Sequence, residues 1–230
     1  MIAPYYHSDR VTLYNADCID VMRDMPDNSA DLILTDPPYG IGITRNTKPV
    51  GVAPVTGRKA TNLTWDDKPP DKRYFKEMFR ISENQIIFGA NYFWEHFYSS
   101  GCYIIWDKRG NMPPMPFCDT EFAWTSFVKK MSKRYVIVNH GFVRDSKDLR
   151  TGHPTQKPSE LFNFIINDFS NPNDLIFDGF MGSGSTGVAA MKLNRRFIGI
   201  ELSEEYCEIA KARIHAAELM AEADLFKPKG

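Results

Sequence analysis

The sequence predicts an α/β protein: an open, mostly parallel sheet with helices on both faces and a β-hairpin at one edge. Three observations predict it. Short apolar runs alternate with helix-like stretches, which is the spacing of βαβ units. The clearest strand candidates are compact and apolar, as strands covered on both faces are. Two of them run directly into special turns, one proline-rich at Asp36–Tyr39 and one glycine-rich at Asp178–Gly187.

In chain order, Val11–Tyr14 reads as a strand and Ala16–Arg23 as a helical segment. Asp31–Thr35 is a buried strand stopped by two prolines. Asp71–Ile81 fits a helix, Gln85–Phe88 a strand, Asn91–Tyr98 a helix and Cys102–Trp106 a strand. Glu121–Phe127 and Tyr135–Val138 read as the edge hairpin. Ser159–Phe169 is a helix with Ser159 as its N-cap. Asp174–Phe177 is a strand, Ser185–Leu193 a helix, Arg196–Ile200 a strand and Glu204–Glu222 a long amphipathic helix.

The chain has 230 residues, 43% hydrophobic and 25% charged, which excludes wholesale disorder and a fibrous fold. That length suits one domain, residues 1–230, with inserted segments at about 41–70 and 129–150. Formal net charge is -1, so any nucleic-acid surface must be local. Cys18, Cys102, Cys118 and Cys207 lie far apart with no C-x-x-C pair, so free thiols in a reducing cytoplasm are expected and no metal site is indicated. No signal peptide and no membrane-spanning apolar run is visible.

Two segments interrupt the alternation. Ile41–Pro70 is rich in Gly, Pro, Thr and Asn, and its first part, Ile41–Thr61, carries Arg45, Lys48, Arg58 and Lys59 with no acid. Lys129–Arg150 carries Lys129, Lys130, Lys133, Arg134, Arg144, Lys147 and Arg150 against Asp145 and Asp148, a balance of +5. Taken alone, either run fits a solvated face.

In the glycine-rich turn, Gly182, Gly184 and Gly187 fit G-x-G-x-x-G after a strand and at the start of a helix, a Rossmann-like arrangement. Glycine is needed where backbone turns sharply and a ligand approaches closely. Glu201 ends the next strand, where an acid holds a ribose hydroxyl pair. The pattern points to an adenosine-containing cofactor. Asp178 favours S-adenosylmethionine over a dinucleotide, because a carboxylate repels pyrophosphate but accepts from an ammonium.

In the other turn, Asp36-Pro37-Pro38-Tyr39, the prolines stiffen the chain and remove backbone donors. What remains is a carboxylate, a free Pro37 carbonyl and an aromatic ring at the ligand-binding edge of a parallel sheet. This set suits a planar amine. Asp36 and the Pro37 carbonyl accept from the amine, and Tyr39 stacks on the heterocycle. Two acceptors would free adenine's delocalised N6 lone pair and stabilise the positive charge that develops on methylation.

These motifs resemble the amino-methyltransferases that methylate adenine N6 or cytosine N4 in DNA using S-adenosylmethionine. Asp36–Tyr39 matches the catalytic motif and Phe180-x-Gly182-x-Gly184 the cofactor motif. His153–Pro158 resembles the segment preceding the cofactor strand, and Asn15–Cys18 the turn near the cofactor's adenine. The catalytic motif comes first, which resembles the β arrangement of this family. The resemblance implies the methyltransferase version of the sheet. It also implies roles. Asp36, Pro37, Pro38 and Tyr39 would form the catalytic turn, with Asp36 bordering the cofactor too. Asp178 would meet the cofactor's ammonium, with Phe180, Gly182, Ser183, Gly184, Ser185 and Thr186 lining that end. Glu201 would take the ribose, Asp17 and Cys18 the adenine ring, and His153 and Lys157 the methionine end. Asp at the first motif position leans to adenine, whereas Ser leans to cytosine. One departure is Gly179, where the family usually has Pro.

The implied reaction is direct transfer to a flipped-out base in double-stranded DNA, with no metal and no covalent enzyme intermediate. Arg45, Lys48, Arg58 and Lys59, together with Lys129, Lys130, Lys133 and Arg134, are expected to contact phosphates beside the cleft. Recognition would be short, or shared across a homodimer as in some relatives. The competing readings are a cytosine-N4 methyltransferase and a nicotinamide-dependent oxidoreductase. The second leaves Asp36–Tyr39 without a task.

Overall fold

The computed structural model describes residues 2–42, 66–113, 118–140, 143–144 and 156–225. Among these, the strands in chain order are β1 (Tyr6–His7), β2 (Val11–Asn15), β3 (Leu32–Thr35), β4 (Gln85–Phe88), β5 (Tyr103–Asp107) and β6 (Thr120–Thr125). They continue with β7 (Lys133–Val136), β8 (Asn139–His140), β9 (Val143–Arg144), β10 (Leu175–Asp178) and β11 (Arg196–Glu201). The α-helices are α1 (Cys18–Asp24), α2 (Lys72–Ile81), α3 (Ser159–Phe169), α4 (Ser185–Lys192) and α5 (Glu204–Leu225). The main sheet runs β1-β2-β11-β10-β3-β4-β6-β5-β7, and β8 and β9 form a separate antiparallel pair.

The central strands β2, β11, β10, β3 and β4 are all parallel. Their side chains alternate between two cores, which is why they read as unbroken apolar runs. On β3, Leu32 and Leu34 join the core under α3, α4 and α5, while Ile33 joins the core under α1 and α2. On β4, Ile86 and Phe88 take the first side and Ile87 the second. Asp17 and Asp71 cap α1 and α2 by accepting from Ile19 N and Arg73 N, each cap contributing about 1 kcal/mol.

Three sequence expectations need correction. Asn91–Tyr98 is not an α-helix but two 3₁₀ turns, Ala90–Tyr92 and Trp94–His96. The aromatic side chains of this stretch dock individually: Phe93 is buried, and His96 stacks on Phe75 at 4.6 Å. The edge hairpin does not form between Glu121–Phe127 and Tyr135–Val138. Instead β5 lies between β6 and β7, antiparallel to the first and parallel to the second. Burial explains the order: Ala123 and Trp124 of β6 are fully buried, whereas Lys133 and Arg134 of β7 are exposed and suit an edge. Ser159 is the first helical residue of α3, and the N-cap position falls to Pro158.

Candidate active site

Neighbouring strands β2, β11, β10 and β3 end side by side, and an acid lies at or just beyond the end of each: Asp17, Glu201, Asp178 and Asp36. All four line one cavity of about 1110 Å³. A parallel sheet presents its ligand edge in this way.

At one end is the proline turn. Asp36 Oδ1 accepts from the Tyr39 hydroxyl at 2.6 Å, and Oδ2 accepts from Lys157 Nζ. Tyr39 stacks face to face on Tyr92, with centroids 4.8 Å apart. The ring rests against Gly89, whose φ is +69° and where any Cβ would overlap it. Behind Asp36, Lys157 Nζ lies 3.0 Å from Glu121 Oε2, and Lys108 Nζ donates to Glu121 Oε1 at 3.2 Å. Burial, seconded by Glu121, pushes the Asp36 carboxyl up, and Lys157 and Tyr39 pull it back. Burial alone would lower Lys157, but Asp36 and Glu121 together hold it above its ordinary value.

At the other end is the glycine turn. Glu201 Oε2 accepts from Gly182 N at 3.0 Å and Oε1 from Ser203 N at 2.8 Å, which fixes the carboxylate while leaving acceptor capacity. Asp17 accepts from Tyr74 OH at 2.8 Å, and Cys18 is buried, its thiol pushed well up by burial. Ser185 opens α4 at the cavity wall, and its buried Oγ has no partner. An orphaned hydroxyl and the free amides of a helix start suit the charged amino-acid end of a cofactor. Phe180, Gly182, Ser183 and Thr186 line the same wall, as do Pro37 and Pro38 at the opposite end.

Asp178 and Lys157 line the cavity but already have partners within the protein, while Gly184 and the second basic run lie off its wall. Asp178 is held internally, accepting from Thr35 Oγ1 and Thr186 Oγ1 at 2.7 Å and from Phe180 N at 3.1 Å, and burial pushes it up to about 6. Lys157 pairs with Asp36 and Glu121, because an almost fully buried ammonium needs counter-charge. Gly184 is not on the cavity wall. Its φ of +81° starts α4 and brings the backbone against Ala210. Lys129, Lys130, Lys133 and Arg134 are also absent from the wall. Lys130 donates to the Asp168 carbonyl, Lys133 pairs with the Asp168 carboxylate at 3.4 Å and Arg134 with Asp107 at 2.6 Å. Arg45, Lys48, Arg58, Lys59 and His153 lie outside the described residues.

Glu121, Lys108, Tyr92 and Thr35 escaped the sequence reading. For Glu121 there was one signal, an acid inside the apolar run Thr120–Thr125. Among the described residues, no cluster of His, Cys, Asp and Glu could hold a metal ion, and no helix is long and apolar enough to cross a membrane.

A parallel sheet with a stiff acidic proline turn and a glycine turn on one cavity defines a Rossmann-like α/β protein with its ligand site at the strand ends. Known proteins make this specific. A family model for DNA methylases of the N6/N4 type matches residues 119–212. The chain is 30% identical to the Type II methyltransferase M2.DpnII of Streptococcus pneumoniae, with 94% of each chain covered. It is 28% identical to M2.MboI of Moraxella bovis, covering 93% of this chain and 92% of that one. Among solved structures, the M1.HpyAVI–SAM complex is 28% identical with a TM-score of 0.58, covering 89% of this chain and 98% of that one. The cytosine-N4-specific PvuII DNA methyltransferase shares the fold at 16% identity, with a TM-score of 0.62 over 96% of this chain and 95% of that one. The chain belongs to the N6/N4 DNA methylase family and is a DNA methyltransferase of that class. The oxidoreductase reading is thereby set aside.

Proposed function

We propose that the protein transfers the methyl group of S-adenosylmethionine to the N6 amino group of adenine in duplex DNA. One observation carries the reading: Asp36 and Glu201 line the same cavity, so a cofactor held at Glu201 reaches a base held at Asp36. The Asp-Pro-Pro-Tyr form of the motif supports adenine over cytosine.

When bound, the cofactor supplies an electrophilic sulfonium methyl. The protein's own residues do the rest. Glu201 accepts from the ribose hydroxyls, while Ser185 Oγ and the start of α4 hold the methionine end. Asp36 and the Pro37 carbonyl accept from the target amine, orient it for in-line attack and stabilise the charge that grows on nitrogen. The stacked pair of Tyr39 and Tyr92 offers an outer aromatic face, and stacking offsets part of the cost of flipping, by roughly 1–3 kcal/mol per base. Cys18 is buried and held protonated, consistent with transfer that needs no enzyme nucleophile.

Phosphate contacts come from the basic run Arg45, Lys48, Arg58 and Lys59. Its flanks return to the cavity rim, where Gly40 N donates to Asp66 Oδ1 at 2.9 Å and Gly42 N to the Asp66 carbonyl at 3.0 Å. Replacing those four residues by alanine flattens the salt dependence of DNA binding; an unchanged slope removes them from the interface. The function itself is tested by incubating the protein with labelled S-adenosylmethionine and duplex DNA and identifying the nucleoside by mass spectrometry. N6-methyl-2′-deoxyadenosine supports the proposal, N4-methyl-2′-deoxycytidine moves it within the family, and unlabelled DNA refutes it.

A further inference from the structure

We infer that Glu121 is a positioning residue for methyl transfer: it anchors Lys157 beside Asp36 when the target amine arrives, and it keeps the acidic corner electrically neutral. This rests on the proposed function and adds to it a residue that acts through Lys157 and Asp36.

The geometry sets the problem. Without substrate, both Asp36 oxygens are occupied, Oδ1 by the Tyr39 hydroxyl and Oδ2 by Lys157 Nζ. Each oxygen keeps a second lone pair, so an incoming amine can share Asp36 with these donors or displace one of them. Lys157 keeps a second anion in either case. Glu121 Oε2 is buried and already pairs with Lys157 Nζ at 3.0 Å. Its other oxygen is secured by Lys108. Lys157 therefore stays paired without entering water whatever Asp36 binds, which matters for a side chain that is only 5% exposed.

Charge balance points the same way. Asp36, Glu121, Lys157 and Lys108 sum to zero when all four are ionised. The reaction brings a cationic methyl donor and builds positive charge on the target nitrogen. A neutral corner tolerates this; a corner with net charge +1 opposes it, strongly where water is excluded. The charged or titratable groups facing Asp36 come from every adjoining element: Tyr39 from its own turn, Lys157 before α3, Glu121 from β6 with Lys108 beside it after β5, and Asp178 at the end of β10.

The opposed signs of Glu121 and Lys157 make the test specific. Single-turnover methyl transfer to DNA is measured against pH for wild type, Glu121→Gln, Glu121→Asp and Lys157→Met, with cofactor affinity measured in parallel. Glu121→Gln is expected to keep cofactor affinity within about twofold and lose about tenfold to a hundredfold in transfer rate. Its acid limb moves to lower pH, because a negative neighbour of Asp36 is gone. Lys157→Met moves the limb to higher pH, because a positive neighbour is gone. Glu121→Asp, which keeps the charge, returns the limb towards wild type. An active wild type whose Glu121→Gln variant keeps the full rate, or acid limbs that shift in the same direction for both variants, overturns the inference. If Glu121→Gln loses cofactor binding, Lys157→Met decides: a limb that fails to rise overturns it. A wild type that labels no DNA overturns instead the function on which the inference rests.

Discussion

Thr35 at the end of β3 donates its hydroxyl to Asp178 at the end of β10, 2.7 Å away and out of contact with water. This bond ties the proline turn that follows β3 to the glycine turn that follows β10. Thr35→Val leaves a buried acceptor short of a donor. It should cost roughly 1–3 kcal/mol of stability and loosen both turns together. Chemical denaturation of the variant, alongside its cofactor affinity, checks this.

Asp178 also makes stability depend on pH. Its folded-state pKa of about 6 lies above the ordinary 3.8, because burial disfavours the charged form. Its contribution is therefore fully present below the ordinary carboxylate value and lost as pH rises through about 6. The loss is on the order of 3 kcal/mol. Asp178→Asn keeps the shape and can still accept from Thr35 while donating to Thr186 Oγ1. Its stability should fall less steeply between about pH 4 and pH 7 than that of wild type. Unfolding curves across that range settle the point.

Asp36→Ala is expected to keep cofactor affinity and lose at least about a thousandfold in turnover, because it removes the acceptor that faces the developing charge. Isothermal titration with S-adenosylmethionine and a methyl-transfer assay on the same sample separate the two effects.

Tyr39 has two separable parts. Tyr39→Phe keeps the stacking face and frees Asp36 Oδ1, so DNA binding should be nearly unchanged. Tyr39→Ala removes the face and should weaken productive binding of the flipped base by roughly 1–3 kcal/mol. Gly89→Ala should act like a displaced Tyr39, since a methyl group there meets the ring and φ is +69°. Fluorescence of a duplex carrying 2-aminopurine at the target position reports flipping in all three.

Much of the fold was legible because the central strands are short, apolar and separated by regular helices. Gln85–Phe88 was read to the residue, and β3, β10 and β11 to within a residue at either end. The edge failed for a physical reason. Strand order depends on which partners bury Trp124 and leave Lys133 outside, and no local pattern encodes that. The site was legible where one turn carries it: Asp36–Tyr39, and Gly182 with Glu201 in register. Glu121, Lys108 and Tyr92 were hidden because they reach the cavity from three other elements. Lys157 was placed on the cavity, but its partners could not be read from a linear motif.

The most direct measurement uses a bisubstrate analogue, an adenosine–methionine cofactor mimic joined covalently to adenine N6, titrated into wild type, Asp36→Ala and Glu201→Gln. If a single cavity serves both partners, the analogue binds wild type at least about tenfold more tightly than the cofactor product alone. Each substitution then weakens it, and Glu201→Gln also weakens the cofactor itself, by roughly 1.5–3 kcal/mol. An analogue that binds no better than the cofactor product, or whose affinity is untouched by Asp36→Ala, contradicts the shared site.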